Sequence, residues 1–188
     1  TFIYDELEAE EPVTWSYLLH TVTNPMNVNM VNEFVHVQAT SKNGISDAYL
    51  LGSDELKTDT TSQFFTPATN WLRADDKGNF KKYPNHWHFT ATSGKHKVYR
   101  FVTIINTHIN KTTPDKPFAV PQRLKDGSIK MGSWIIKANV SSEGKPSFHV
   151  RFPRPQYDAA VTYDGDVTVV REDGYETTLR DKLPELEI

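Results

Sequence analysis

The stretch AAVTYDGDVTVVREDGYETTL, Ala159–Leu179, decides the fold class. Ala159–Tyr163 and Asp166–Arg171 alternate Val or Ala with Thr and charged residues, and Asp164-Gly165 stands between them. Two runs of period two joined by such a dipeptide read as a hairpin, because Gly takes the positive φ that tight hairpin turns need. Asp173-Gly174 then turns the chain into Tyr175–Leu179. The expectation is a three-stranded terminal meander over 158–180, with one buried and one wet face.

The same grammar continues upstream. Strands are predicted at 1–7, 13–22, 33–40, 45–51, 62–66, 86–92, 97–106, 118–121, 129–131, 134–140 and 147–152, from β-branched and aromatic enrichment. Asn43-Gly44, Lys77-Gly78, Ser93-Gly94, Asp126-Gly127 and Glu143-Gly144 punctuate them as turns. Ser93-Gly94 is expected to reverse the chain, so that His86–Thr92 and Lys97–Ile105 pair as neighbours. Lys111–Pro117 reads as a loop, and only Gly52–Lys57 and Arg180–Leu186 could hold a helical turn. Trp15–Leu19 and Val98–Ile105 read as strands buried on both faces, which requires stacked sheets. Trp15 and Leu19 are expected in the core, on one face with Val13 and Tyr17. The fold class is therefore all-β: one antiparallel β-sandwich domain over 1–188, supersandwich-like, with little helix.

Composition narrows the chemistry. The 188 residues are 37% hydrophobic and 12% aromatic, enough apolar surface for a core. The absence of cysteine excludes disulfides, thiolate metal sites and a cysteine nucleophile. No apolar run approaches the roughly 20 residues of a membrane-spanning helix. There is no G-x-S-x-G, no phosphate-binding Gly loop and no H-E-x-x-H. The net charge is −3, but the charges are segregated. Asp5, Glu6, Glu8, Glu10 and Glu11 crowd the start, whereas Lys77–Arg100 holds Lys77, Lys81, Lys82, Lys95, Lys97 and Arg100 without one acid.

Phe80, Tyr83, Trp87, Phe89 and Tyr99 interleave with those cations. Sugar rings stack on aromatic planes, and Lys or Arg pairs with carboxylate or sulfate. An acidic glycan suits this pattern. Single-stranded nucleic acid also suits it, but the overall negative charge argues against that partner. The candidate glycan-binding residues are Lys81, Lys82, His86, His88, Lys95, Lys97 and Arg100. His86 and His88 share a strand face with Thr90 and Thr92. Two histidines on one face can ligate a metal if a neighbouring strand adds a third ligand, and the sequence does not name one. No metal, no cofactor and no catalytic residue is expected. His20 and His36 read as satisfied sheet residues, and His108 and His149 have no recognisable partners.

The segment FIYDELEAEEPVTWSYLLH, Phe2–His20, resembles the heparinase II/III-like polysaccharide lyases, in which an Asp-x-Leu strand is followed by Pro and a Trp/Leu-Leu-His strand. His86-Trp87-His88-Phe89-Thr90 and the apolar run after it resemble the family more weakly, and beyond about Thr107 the likeness ends. The family joins an N-terminal α/α toroid to β-sandwich domains and cleaves uronate-containing glycans by β-elimination. The resemblance implies a C-terminal, non-catalytic β-sandwich from a larger bacterial lyase, periplasmic or secreted, that supports the toroid or the glycan cleft. Its catalytic and metal-binding residues lie upstream of the matched segment, so none is carried onto this chain, and no lyase activity is expected from the chain alone. The implied partners are an acidic polysaccharide, through the parent enzyme, and the toroid; no nucleic acid and no membrane are expected. The opening Thr1-Phe2-Ile3-Tyr4 reads as mid-strand, consistent with a chain cut from a longer one. The competing reading is a free-standing carbohydrate-binding or interaction module.

Overall fold

The computed structural model describes residues 1–21, 24–62, 72–74, 76–82, 86–109, 119–153, 158–172 and 174–180, with the side chains of 72–74, 80–82, 158 and 180 outside the description. Among the described residues the chain forms fifteen strands and no helix. They are β1 (Phe2–Thr21), β2 (Asn27–Val31), β3 (Phe34–Thr40), β4 (Gly44–Gly52), β5 (Lys57–Thr61), β6 (Leu72–Ala74), β7 (Phe80–Lys82), β8 (Trp87–Ile109), β9 (Gln122–Arg123), β10 (Ile129–Met131), β11 (Trp134–Ala138), β12 (Phe148–Pro153), β13 (Asp158–Tyr163), β14 (Val167–Glu172) and β15 (Tyr175–Arg180). One antiparallel sheet runs β1-β8-β4-β3-β2, with β5 also paired to β8. A second is a meander in chain order from β9 to β15, and β6 and β7 pair by themselves. The all-β sandwich expected from the turn grammar is the fold observed.

Its spine is a pair of unusually long strands. β1 and β8 run antiparallel from Phe2↔Ile104 to Thr21↔Trp87, with register shifts between Glu8 and Val13 and between Thr14 and Ser16. β4 pairs with the second half of β8, from Gly52↔Phe101 to Gly44↔Ile109, and β5 with its first half, from Lys57↔Thr92 to Thr61↔His88. Tyr17 opposes Ala91, ten residues from Phe101 along β8. A straight strand would separate those levels by roughly 33 Å. The rings of Tyr17 and Phe101 are 5.5 Å apart between centroids. The ribbon therefore bends back over its own face.

The bend encloses one core and leaves the other face of the sheet for a second. Val35, Val37, Ala48, Leu50, Tyr99 and Phe101 meet Phe89 and Ala91 from the folded-over half, with Trp15, Tyr17 and Leu19 packed against them. On the opposite face, Phe34, Tyr49, Val102 and Ile104 pack onto Ile129, Met131, Ile136 and Val150 of the second sheet. This double cover is why residues 99–104 are buried without alternation.

Several sequence expectations are corrected. Ser93-Gly94 is not a turn: β8 passes through it unbroken, so 87–92 and 97–106 belong to one strand and are not hairpin partners. Gly44 and Gly94 do not have positive φ, whereas Gly78, Gly127, Gly144, Gly165 and Gly174 do, as expected. Ser93 Oγ accepts the Trp15 N–H at 2.9 Å and donates to the Gly94 carbonyl at 2.6 Å, holding an irregularity where a turn was expected. Likewise the predicted runs 1–7 and 13–22 meet in one strand over Phe2–Thr21. Trp15–Leu19 is covered on one face only, since Leu18 is 55% exposed, and Val13 lies outside the core. Gly52–Lys57 holds bends and the start of β5, with no helical turn. Of the run expected at 118–121, the described residues 119–121 form no strand and the short β9 follows them, while β2 and β5 carry too little apolar alternation to be found.

The terminal meander forms, with one change of register. Tyr163 pairs with Thr168, so four residues intervene where two were expected. Asp164 Oδ1 accepts the N–H groups of Asp166 and Val167 at 3.4 and 3.2 Å, widening the turn. Glu172 pairs with Tyr175, as the second turn requires. Residues 63–66 of a predicted strand, the Lys111–Pro117 loop and the 181–186 part of a predicted helical turn lie outside the described residues.

Candidate functional site

The residues singled out from Lys77–Arg100 separate in space. Lys95 and Lys97 are exposed at the bend of β8, and His86 is exposed just before the strand. His88 is half-buried seven residues from Lys95, roughly 23 Å of strand contour. The side chains of Lys81 and Lys82 lie outside the description, as do the Phe80 ring and Tyr83.

Arg100 is no surface cation at all. It is 1% exposed and points between the two sheets. Its Nε donates to Glu6 at 2.5 Å, and its two terminal nitrogens donate to the carbonyls of Ser141, Glu143 and Gly144 in the β11–β12 loop. The guanidinium thus ties the first sheet to the second.

Pairing also changes the electrostatics. The acidic start of the chain is the strand that lies beside the basic stretch: Glu6 opposes Arg100, Glu8 opposes Val98, and Glu10 and Glu11 fall in the shifted register near Lys97. The positive run that looked single-signed in sequence has carboxylates as its cross-strand neighbours, which shortens the reach of its field.

A second network pins the bend. Asp54 takes the Tyr99 hydroxyl on Oδ1 at 2.7 Å and faces His96 Nε2 from Oδ2 at 2.7 Å. Burial pulls the Asp54 carboxyl upward, but hydrogen bonds from Tyr99 and His96, with the charge of the latter, outweigh it and hold the pKa below the usual carboxylate value. Burial and the hydrogen bond to Asp54 push Tyr99 well above an ordinary phenol. Trp15 Nε1 donates to the His96 carbonyl at 3.1 Å. A Cβ on Gly94 would lie 3.2 Å from Asp54 Oδ2 and 3.3 Å from His96 Nε2. A side chain here would crowd the Asp54–His96 pair, so glycine serves close approach and not a turn.

The richest polar cluster is one the sequence reading missed. On the face of the first sheet that meets the second, the apolar rows give way toward one end to Asn29, His36, Gln38, Asp47, Asn106 and His108. Strand register brings these together, with Asn29 opposite His36, Gln38 opposite Asp47, and Asp47 opposite Asn106. Asp47 is 4% exposed. Its Oδ1 meets His36 Nε2 at 2.7 Å and accepts from Gln38 Nε2 at 2.9 Å, while Oδ2 lies 3.8 Å from His108 Nδ1. His36 Nδ1 meets Asn29 Oδ1 at 2.8 Å, and its ring stacks on Tyr49 at 4.6 Å and 11°. Burial, with the nearby Asp47 charge, pushes Tyr49 up to about 12, so its phenol stays protonated. Asn106 also lines a cleft of about 260 Å³ between the sheets, with Thr1, Met131, Ser133 and Trp134. The cluster offers fixed amide, imidazole and carboxylate groups beside an aromatic wall. Such a set can orient hydroxyl-rich molecules, and an imidazole–carboxylate pair can relay a proton. Only the short polar alternations Asn27/Asn29 and His36/Gln38 hinted at it, since the members come from four strands.

Among the described residues, no group of three or more His, Cys, Asp and Glu side chains is placed to hold a metal ion. A smaller pair does meet at the far end of the ribbon: His20 opposes His88, with ring centroids 4.6 Å apart and planes at 77°. Burial and the charges of His20 and His86 lower the His88 pKa. No protein-family model and no curated protein matches this chain.

Proposed function

We propose that this chain is a non-catalytic β-sandwich domain of a heparinase II/III-like polysaccharide lyase acting on uronate-containing glycans, carried in a periplasmic or secreted bacterial protein. An α/α toroid elsewhere in that protein performs the chemistry, and this domain supports it or extends the glycan cleft. The observation that carries the reading is the pairing of β1 with β8. The two segments whose sequences resemble the family, Phe2–His20 and the stretch from His86 onward, lie some 66 residues apart and form one hydrogen-bonded ribbon. Two distant likenesses that meet in a single structural unit support common descent better than either alone. The sandwich architecture fits the place that β domains hold in that family.

Glycan contact on this domain is polar rather than strongly ionic, because Arg100 is buried and β1 carboxylates flank the exposed lysines. Lys95, Lys97 and His86 remain at the surface as the accessible members of the set. Titration of acidic oligosaccharides, followed by backbone amide shifts, tests this. Weak shifts near Lys95 and Lys97 that shrink with added salt are expected, since exposed charges contribute little each and are screened over about 10 Å. No shift anywhere at millimolar ligand would remove the glycan-contact part of the proposal. Growth of the ultraviolet absorbance of unsaturated uronate, with purified chain alone, would overturn the non-catalytic part.

A further inference from the structure

We propose that His20 and His88, facing each other across the β1–β8 pair, bind one divalent transition-metal ion, with His86 beside them. The proposal rests on strand geometry and is independent of the glycan reading.

Directly opposed residues of an antiparallel pair hold their Cβ atoms about 4.5–5.5 Å apart, on one face of the sheet. The two rings already touch edge to face, with centroids 4.6 Å apart. A metal bound to both needs each nitrogen at about 2.0–2.1 Å, so small side-chain rotations suffice and the backbone need not move. His20 is exposed and His88 half-buried, so an ion reaches the pair from solvent. His86 stands two residues before His88 on the side that alternation assigns to the same face. It lies close enough for its charge, like that of His20, to act on His88.

Imidazole binds metal only when neutral, and the environment of His88 favours the neutral form. The charged groups facing this patch are His20 on β1, His86 ahead of β8, and Asp59 and Lys57 on β5, opposite Thr90 and Thr92. Two imidazoles with water in the remaining positions suit borderline ions such as Zn²⁺, Ni²⁺ and Cu²⁺, and not Ca²⁺ or Mg²⁺, which prefer oxygen cages. The site would clamp the far end of the ribbon, where β1 ends and β8 begins.

The test is titration of Zn²⁺ alone into the full chain in metal-free buffer at pH 7.4, following imidazole C–H and backbone amide signals. One equivalent should move His20 and His88 together, with His86 next. Cu²⁺ should displace Zn²⁺, as its stronger affinity for nitrogen sites requires. His20→Ala should weaken Zn²⁺ binding at least about tenfold, since it removes one of two protein ligands, and lowering the pH to about 5.5 should weaken it too. Because His20 is exposed, the variant should fold, and His20→Gln with preserved amide dispersion serves as the second variant. Shifts centred on His36, His96 or His108, equal effects from Ca²⁺, or affinity within twofold of the parent in the His20 variants would each overturn the proposal. The mapping on the unmutated chain decides the question even if both variants misfold.

Discussion

Arg100 lies among lysines in the sequence and among carbonyl groups in the fold. Its charge is matched by Glu6, and three more of its N–H groups by backbone carbonyls of the β11–β12 loop. Truncation removes all of these partners at once and leaves buried acceptors unpaired. Arg100→Ala is expected to cost about 3–5 kcal/mol in denaturant unfolding, the range for breaking a buried ionic cluster. Lys97→Ala, an exposed neighbour, should change stability by less than about 0.5 kcal/mol. A second residue-scale outcome concerns pH. The His88 pKa is lowered in the folded chain, first by burial and then by the charges of His20 and His86. The unfolded chain therefore binds more protons just below the ordinary histidine value of about 6.5. The stability that His88 contributes is complete above that value and declines as the pH falls from it toward the lower folded pKa. Urea unfolding at pH 7.5 and 5.5 should show a smaller loss for His88→Gln than for the parent. Asp54, whose folded pKa is depressed, acts at lower pH: its contribution is present above about 3.9 and lost as the pH falls through the folded value.

The β1–β8 ribbon is the element on which local sequence rules fail most instructively. Ser-Gly dipeptides serve equally in turns and in bulges, and nothing local separates the two. The partner strand decides: Trp15 N–H reaches Ser93 Oγ, and the Asp54–His96 pair crosses over Gly94, so the chain goes straight on. The acidic run and the basic run were read as separate features, although they are two sides of one ladder. Alternation within the ribbon was legible. Trp15, Tyr17 and Leu19 pack on the core, while Ser16, Leu18 and His20 face out. Trp15→Ala, which removes a half-buried indole and its hydrogen bond to His96, should cost about 3 kcal/mol. Leu18→Ala on the opposite face should cost less than about 0.5 kcal/mol. Equal losses in thermal or denaturant unfolding would mean that the ribbon does not fold over at this level.

At the scale of the whole molecule, the first sheet separates two cores, one inside the bend and one against the meander. Leu50 belongs to the first and Ile136 to the second, both essentially inaccessible. Leu50→Ala should cost about 2–5 kcal/mol and Ile136→Val about 0.5–1.5 kcal/mol. Because they share no partner, the double variant should lose their sum within about 0.5 kcal/mol, in one cooperative unfolding transition. A coupling well beyond that would show that the sheet transmits strain between the cores. The sequence by itself determined the strand-and-turn character, the terminal meander, most glycine turns and, over 99–104 of the expected 98–105, burial on both faces, because period-two patterning and glycine dihedrals are set by neighbours one to four residues away. Tertiary structure alone decided that two predicted hairpin arms are one bent strand, that Arg100 is an interior latch, and that Asn29, His36, Gln38, Asp47, Asn106 and His108 form one cluster while His20 meets His88. Each of these depends on which strand lies alongside and in what register, and that is fixed by burying both faces of a sheet at once, a condition no short stretch of sequence carries.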